Sequence, residues 1–200
     1  MLNRLLKVAG ILLVFCFFVI CVRKVLSLYI ADVTSIESLD TIRNGNISKS
    51  VALINQTIRE NPMEPKYYVN RASVFLTIAS GETGAERQKY KLMALDDMQN
   101  AYKLNPNNLL AIKSLIPLYY YLSVSGSPSS NSSMQIDPEF KSLSKEFYAS
   151  VFNKAPQDVG VYVLIYKYTK RLEITDINAA AKEKIMQLRP DLFDWYSDLR

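Results

Sequence analysis

Four prolines set the plan of this chain, because each one closes a segment with helical periodicity. They are Pro62, Pro106, Pro156 and Pro190. Proline disfavours the helical conformation in the residue before it, so each of these steps predicts the end of a helix. The prolines lie 44, 50 and 34 residues apart. Each interval has room for two helices and a turn, so the sequence predicts a series of helical hairpins.

The spacing of apolar residues supports this plan. Positions three and four apart are apolar along most of the chain, and no stretch alternates as a strand would. Pro117 falls inside one helical segment and is expected to kink it. The predicted helices run over residues 31–43, 48–60, 65–79, 87–104, 109–122, 138–154, 159–171 and 176–189, with a short last helix over 191–199. The sequence therefore predicts an all-α fold.

Two insertions lengthen the first two intervals. One lies near residues 80–90, where GETG breaks the helical pattern. The other spans residues 123–136 and is rich in serine, glycine, proline and asparagine, which is typical of a mobile loop. A linker between two domains is the alternative. Without insertions of 10 and 16 residues, both intervals equal the third, 34 residues.

The N-terminal segment is typical of a membrane anchor. Residues 8–22 carry no charge, and Arg4, Lys7, Arg23 and Lys24 flank them. Residues 5–30 are long enough to cross a hydrocarbon core of about 30 Å as a helix. A cleaved signal peptide and an interfacial helix are the alternatives, but two bases follow the run directly and no A-x-A-like site is present. We therefore predict an anchor over residues 1–30 and a helical domain over 31–200.

The charge distribution predicts an orientation and argues against nucleic acid. Four of the five excess positive charges flank the apolar run, and residues 31–200 contain 20 bases and 19 acids. That balance gives no basic track for phosphates. The α-amino group adds a small positive bias before the run, which favours the N-terminus inside. The prediction is a single-pass membrane protein with its helical domain on the non-cytoplasmic side.

The chain has no histidine, and both cysteines, Cys16 and Cys21, lie in the apolar run. A Cys/His zinc site, a Ser-His-Asp triad and a Cys-His pair therefore cannot form in the helical domain. Only carboxylates, lysines and tyrosines remain for catalysis, and Asp96 and Asp97 are adjacent on a helix and diverge. The sequence predicts no cofactor, no metal and no enzymatic activity.

The hairpin pattern resembles the tetratricopeptide repeat (TPR) family, whose unit is a 34-residue helix-turn-helix. That family has small residues twelve and five positions before its proline, and an aromatic, a small and an aromatic residue after it. Tyr68, Ala72 and Phe75 fit after Pro62, whereas the residues after Pro156 depart from the pattern. The small positions are Ala94 and Ala101 before Pro106, Ser50 and Thr57 before Pro62, and Ser144 and Val151 before Pro156; Asn178 and Ile185 before Pro190 match poorly.

This resemblance implies an α-solenoid of about three to four stacked hairpins, degenerate at both ends. An unrelated helical bundle is the alternative. The first helices of the pairs, residues 65–80, 109–122 and 159–171, would line a concave groove, and they contain six bases and no acid. The resemblance implies a scaffold or adaptor, which the predicted anchor would tether to the membrane. The bases of the groove lead us to expect that it binds an acidic segment or a C-terminal carboxylate of another protein. The groove candidates are Lys66, Asn70, Ser73, Lys113, Tyr120, Lys167 and Lys170.

Two details qualify this expectation. Asn70 and Lys113 match two members of the carboxylate clamp found in some relatives, but Ser35, Leu39 and Pro117 occupy positions that need amide or basic side chains. The second function class is a structural brace in a membrane complex, in which the span packs against other spans. The run has one glycine and no G-x-x-x-G, so its sequence does not favour tight helix pairing.

Overall fold

The computed structural model describes residues 2–125 and 135–192, with side chains from Gly10 onward, and these form eight helices and one short strand pair. The strands are β1 (Val124–Ser125) and β2 (Gln135–Ile136). The helices are α1 (Leu2–Arg43), α2 (Ile47–Glu60), α3 (Pro65–Gly81), α4 (Gly84–Leu104), α5 (Leu109–Ser123), α6 (Pro138–Val151), α7 (Val159–Arg171) and α8 (Thr175–Leu188).

The predicted all-helical class is confirmed, and the prolines act as expected. Pro62, Pro106 and Pro190 lie two residues beyond the ends of α2, α4 and α8, and Pro156 follows α6 after a turn. The residues before three of them, Asn61, Asn105 and Arg189, have φ near −150°, at −144°, −153° and −152°. These three residues have left the helical conformation, which a following proline disfavours. Pro117 lies inside α5, which continues through it.

Side-chain caps start most of the helices. Asn46, Asn108, Asp137 and Asp158 each accept a hydrogen bond from a backbone N–H in the first turn. The sequence places the start of α8 at residue 176, with Thr175 or Asp176 as its cap, but this cap is wrong because the helix already begins at Thr175. The residue before this helix is Ile174, which is buried and makes no side-chain cap. The preceding turn fixes the start instead, because the Ile174 N–H donates to the Thr169 carbonyl at 2.9 Å.

Three further expectations need correction. Strands were not expected, yet β1 and β2 pair antiparallel at the two ends of the serine-rich tract. Residues 84–90 of the first insertion are helical and lengthen α4, because helix formation resumes directly after the GETG turn. Helix α6 ends at Val151, three residues early, in a turn that precedes Pro156. The central tract, 126–134, and the predicted helix at 191–199 lie largely outside the described residues.

The first compact unit, residues 1–63, holds α1 and α2. Helix α1 runs unbroken through residue 30, where the anchor was expected to end. Near the N-terminus it is long and apolar enough to cross a membrane, as predicted. It ends at Arg43, two residues before Gly45, whose φ of +79° favours glycine. The chain then turns back, and α2 packs against the second half of α1.

The second compact unit, residues 64–200, contains the remaining helices. Helices α3 and α4, α5 and α6, and α7 and α8 form three hairpins, and α5 also packs against both α3 and α7. The core between them is built from aliphatic and aromatic side chains. Those that are fully buried include Tyr67, Ile112, Leu115, Ile116, Phe140, Tyr148, Tyr162 and Ile165.

One lysine is buried in this unit, beside the strand pair. Lys91 on α4 is 3% exposed, and its ammonium lies 3.8 Å from an Asp137 carboxylate oxygen and 3.3 Å from the Ser125 hydroxyl. The Phe140 ring centroid is 4.8 Å away. Desolvation lowers the pKa of Lys91, although Asp137 acts in the opposite direction. The charged form of Lys91 is therefore less favourable in the folded protein than in water.

Replacing Lys91 with methionine is expected to raise the free energy of unfolding at pH 7 by about 1 kcal/mol, because the buried charge disappears while the volume stays similar. A lysine whose folded pKa is depressed contributes stability above its ordinary pKa of 10.5, and this contribution is lost as pH falls through the folded pKa. The advantage of Lys91→Met should therefore shrink as pH rises toward 10.5. Urea unfolding at pH 7 and pH 9.5 measures it.

The matched control is Lys89→Met on the same helix, where the lysine is exposed and pairs with Glu86. That variant should differ little from the parent protein at either pH. If Lys91→Met were less stable than the parent at pH 7, the contacts of the ammonium would outweigh its desolvation.

Candidate functional site

The candidate site is the solvent-facing side of α3, α5 and α7, here called the α3–α5–α7 face. Beyond the first residue of each helix, the partly or fully exposed positions on α5 are 110, 113, 114, 117 and 121, which is helical spacing. On α7 they are 160, 163, 164, 167, 170 and 171. Because α5 packs between α3 and α7, these exposed sides are adjacent. All seven predicted groove residues lie on these three helices.

Lys113 is held by an ion pair within this face. Its Nζ lies 2.7 Å from Oδ2 of Asp158, the residue that caps α7. Burial acts to raise the pKa of Asp158, but the Lys113 hydrogen bond and two backbone N–H groups outweigh it, so the pKa is lowered. A Cβ at Gly160 would lie 3.3 Å from the Lys113 Nζ, so the missing side chain gives the ammonium room. The sequence does not predict this pair, because Asp158 precedes the helix.

Lys167 is the lysine of this face best placed to bind an acidic group of another molecule. It is half-buried on α7, and its side chain makes no ion pair or hydrogen bond within residues 2–125 and 135–192. Lys170 is exposed one turn later, with its ammonium 5.8 Å from the Tyr166 ring centroid. Lys66 is exposed in the first turn of α3.

The uncharged candidates divide into two groups. Asn70 and Ser73 are half-buried on the outward side of α3, where a peptide backbone would find amide and hydroxyl groups. Tyr120 is only 3% exposed, and its ring centroid lies 5.0 Å from that of Tyr168 on α7. Its neighbour Tyr121 is 50% exposed. Tyr121 lies four residues beyond Pro117 on the outward side, so helical spacing from Lys113 would have identified it.

The two arginines among the bases of these helices differ in their contacts. The Arg71 guanidinium makes two hydrogen bonds to Asp97 on α4, at 2.7 and 2.8 Å, and therefore points toward its own hairpin. The Arg171 guanidinium is exposed on α7 and lies 5.8 Å from the Tyr120 ring centroid and 5.9 Å from that of Tyr168. The basic character of the face therefore comes from its lysines and Arg171.

The charged and polar groups of this face can bind an acidic or peptide ligand. Lysine ammonium groups attract carboxylates, and the amide and hydroxyl groups of α3 are suited to hydrogen-bond a peptide. Within the described ranges, no group of three His, Cys, Asp or Glu residues is arranged to hold a metal ion. The loop before α7, residues 155–159, lines an open depression of about 450 Å³ beside the Lys113–Asp158 pair. No protein-family model matches the chain, and no curated protein matches it.

Proposed function

We propose that this chain is a membrane-tethered protein–protein interaction module with TPR-like hairpins, and that its α3–α5–α7 face binds an acidic segment of another protein. The observation that carries the proposal is the charge of this face. α3, α5 and α7 contain no acid, and Lys167 is half-buried without a carboxylate partner among the described residues. A half-buried ammonium gains from a carboxylate ligand, because the pair is screened less than on an open surface.

The small positions of the repeat pattern support TPR-like hairpins. The six positions that precede Pro62, Pro106 and Pro156 are completely buried, at 0% exposure, on α2, α4 and α6. In α2, the Ser50 hydroxyl donates to the Ser38 carbonyl of α1 at 2.8 Å, which requires a close approach of the two helices. The positions are Ser50, Thr57, Ala94, Ala101, Ser144 and Val151.

The Lys113–Asp158 pair tunes this binding. An acidic ligand over α5 and α7 meets Asp158 as a competitor for Lys113, so this lysine contributes less than its charge suggests. Lys167 makes no ion pair within the described residues, so no carboxylate of the chain itself competes for it there. We therefore expect the acidic groups of the partner to lie nearer to the C-terminal half of α7 than to its N-terminus.

The experiment is a binding measurement with the full chain in lipid nanodiscs. The probe is a fluorescent ten-residue peptide rich in aspartate and glutamate, and an amidated copy tests the contribution of a free C-terminal carboxylate. Lys167→Glu is expected to weaken binding about tenfold or more, which corresponds to about 1.4 kcal/mol. The matched control is Lys103→Glu, the same charge change at an exposed position on α4, away from the face.

Equal losses of peptide affinity in the two variants would contradict the proposal, because non-specific attraction would then explain the binding.

A second measurement separates a binding module from a structural brace. A chain lacking residues 1–30 should retain peptide binding if the α3–α5–α7 face is the site. If the full chain assembled with a membrane partner only through its span and bound no peptide, the brace function would replace this proposal.

A further inference from the structure

Beyond residue 24, α1 has two opposite faces of unusual composition. The face toward α2 carries small residues, and Ala31, Ser35 and Ser38 are at most 1% exposed. The opposite face carries large apolar side chains that are between 48% and 67% exposed; we call it the α1 stripe. An amphipathic helix normally buries its large apolar residues. The α1 stripe consists of Val25, Leu26, Tyr29, Ile30, Val33 and Ile36.

Lipid does not account for the whole stripe. The Ser27 hydroxyl donates to the Glu60 carboxylate at 2.8 Å, and a carboxylate is disfavoured in hydrocarbon. The hydrocarbon therefore ends before Ser27, near Arg23 and Lys24. Residues 5–22 already span about 27 Å as a helix, close to the thickness required. Along the helix axis, Val33 then lies about 15 Å beyond Arg23, in water.

The stripe has the spacing of a coiled-coil seam. Leu26, Tyr29, Val33 and Ile36 are separated by three, four and three residues, as the a and d positions of a heptad are. The same alternation continues back into the span through Val22, Val19, Phe15 and Leu12. Eight successive seam positions are therefore apolar. Such a seam packs against another helix that runs alongside it and supercoils with it.

We infer that the α1 stripe is covered by the α1 stripe of a second copy of this chain, in a parallel pair. Two copies in one membrane have Arg23 and Lys24 at the same height, so their seams emerge in register and point in the same direction. Confinement to the membrane also raises the effective concentration of the second copy. The contact is isologous, with each seam residue opposite its own equivalent.

The charged residues at the C-terminal end of the α1 stripe do not oppose this pairing. Glu37 lies beside Ile36, and its carboxylate is 2.8 Å from the Lys49 ammonium of α2. Asp40 occupies the next seam position and pairs with Arg43 at 3.1 Å, so the apolar seam ends there. The pairing uses large aliphatic residues above the bilayer, which is compatible with the absence of G-x-x-x-G in the span.

Disulfide cross-linking of the full chain in membranes tests this inference. Cys16 and Cys21 are first replaced with alanine, and single cysteines are then placed at Val33 or Ile36. The matched control is Gln56→Cys, on the exposed outer side of α2. The Ser27–Glu60 and Ser38–Ser50 contacts put Gln56 at nearly the same height above the membrane. The expected result is a dimer fraction several-fold higher at 33 and 36 than at 56.

A second variant keeps the test decisive. Val33→Glu with Ile36→Glu should abolish cross-linking through a reporter cysteine at Leu26, while circular dichroism shows unchanged helicity, because these residues face away from α2. Equal dimer fractions at positions 33, 36 and 56 would overturn the inference. Cross-links from 33 and 36 to a different protein, with no self-linked dimer, would also overturn it.

Discussion

Replacing Arg71 with leucine is expected to lower the free energy of unfolding by about 3–5 kcal/mol. Asp97, its partner on α4, is 1% exposed, and the guanidinium supplies two hydrogen bonds at 2.7 and 2.8 Å. Without Arg71 the carboxylate stays buried with no opposite charge, which is the costly way to break such a pair. Urea unfolding of the full chain in detergent micelles, followed by circular dichroism, measures the loss.

A surface pair with the same geometry provides the control. Arg189 makes two hydrogen bonds to Asp191 at 2.7 and 2.9 Å, but both side chains are about half exposed. Arg189→Leu should therefore cost less than about 1 kcal/mol. Adding Asp97→Leu to Arg71→Leu should recover most of the loss, because no buried charge then remains. If Arg71→Leu and Arg189→Leu lowered the free energy of unfolding by similar amounts, burial of the pair would not determine the effect.

The pH dependence of the Arg71→Leu loss has a definite sign. Burial raises the pKa of Asp97 above its ordinary value of 3.8, even though Arg71 lowers it. Without Arg71 this pKa rises further. A carboxyl with a raised folded pKa contributes stability below pH 3.8, and this contribution is lost as pH rises through the folded value. The deficit of Arg71→Leu should therefore be smallest near pH 4 and grow toward pH 7.

The sequence predicted the helices well, because their ends are set locally. An x-Pro step or an Asx cap acts within one turn, so Asn61 and Asp158 could be interpreted without knowing the fold. The start of α8 was misplaced because its turn depends on the buried Ile174 and on a bond to Thr169 in the preceding helix. The predicted boundary at residue 30 does not interrupt α1. A change in amino-acid composition need not break the hydrogen bonds along a helix.

The candidate site was predicted less completely, because it depends on contacts between distant residues. The outward positions of Lys113 and Lys167 follow from helical spacing, which the sequence contains. The Lys113–Asp158 pair and the Arg71–Asp97 pair join residues 45 and 26 positions apart, and periodicity does not reveal them. The divergence of Asp96 and Asp97 was predicted and is confirmed, with Asp96 exposed and Asp97 buried. The neighbouring tyrosines also differ in exposure, since Tyr120 is buried and Tyr121 is exposed.

Replacing Phe147 with alanine is expected to lower the free energy of unfolding by about 3–5 kcal/mol. Phe147 on α6 stacks on Tyr119 of α5 at a centroid distance of 4.1 Å and an interplanar angle of 12°. It also makes an edge contact with Tyr102 of α4 at 5.6 Å. One ring therefore joins three helices from two hairpins, and its loss leaves a cavity where they meet. Phe147→Leu should cost less, because it retains much of the volume.

Tyr119 provides a local readout of this cavity. Burial, with a smaller effect from Tyr102, raises the pKa of Tyr119 to about 12. Water entering the space left by Phe147→Ala would stabilise the phenolate, so this pKa should fall toward 10. An NMR titration of labelled tyrosine measures it. The control Tyr121→Ala, at an exposed ring, should change stability by no more than about 0.5 kcal/mol. An unchanged Tyr119 pKa with a full loss of stability would mean that the cavity stays open but dry, whereas an unchanged pKa with a small loss would mean that the helices collapse into it.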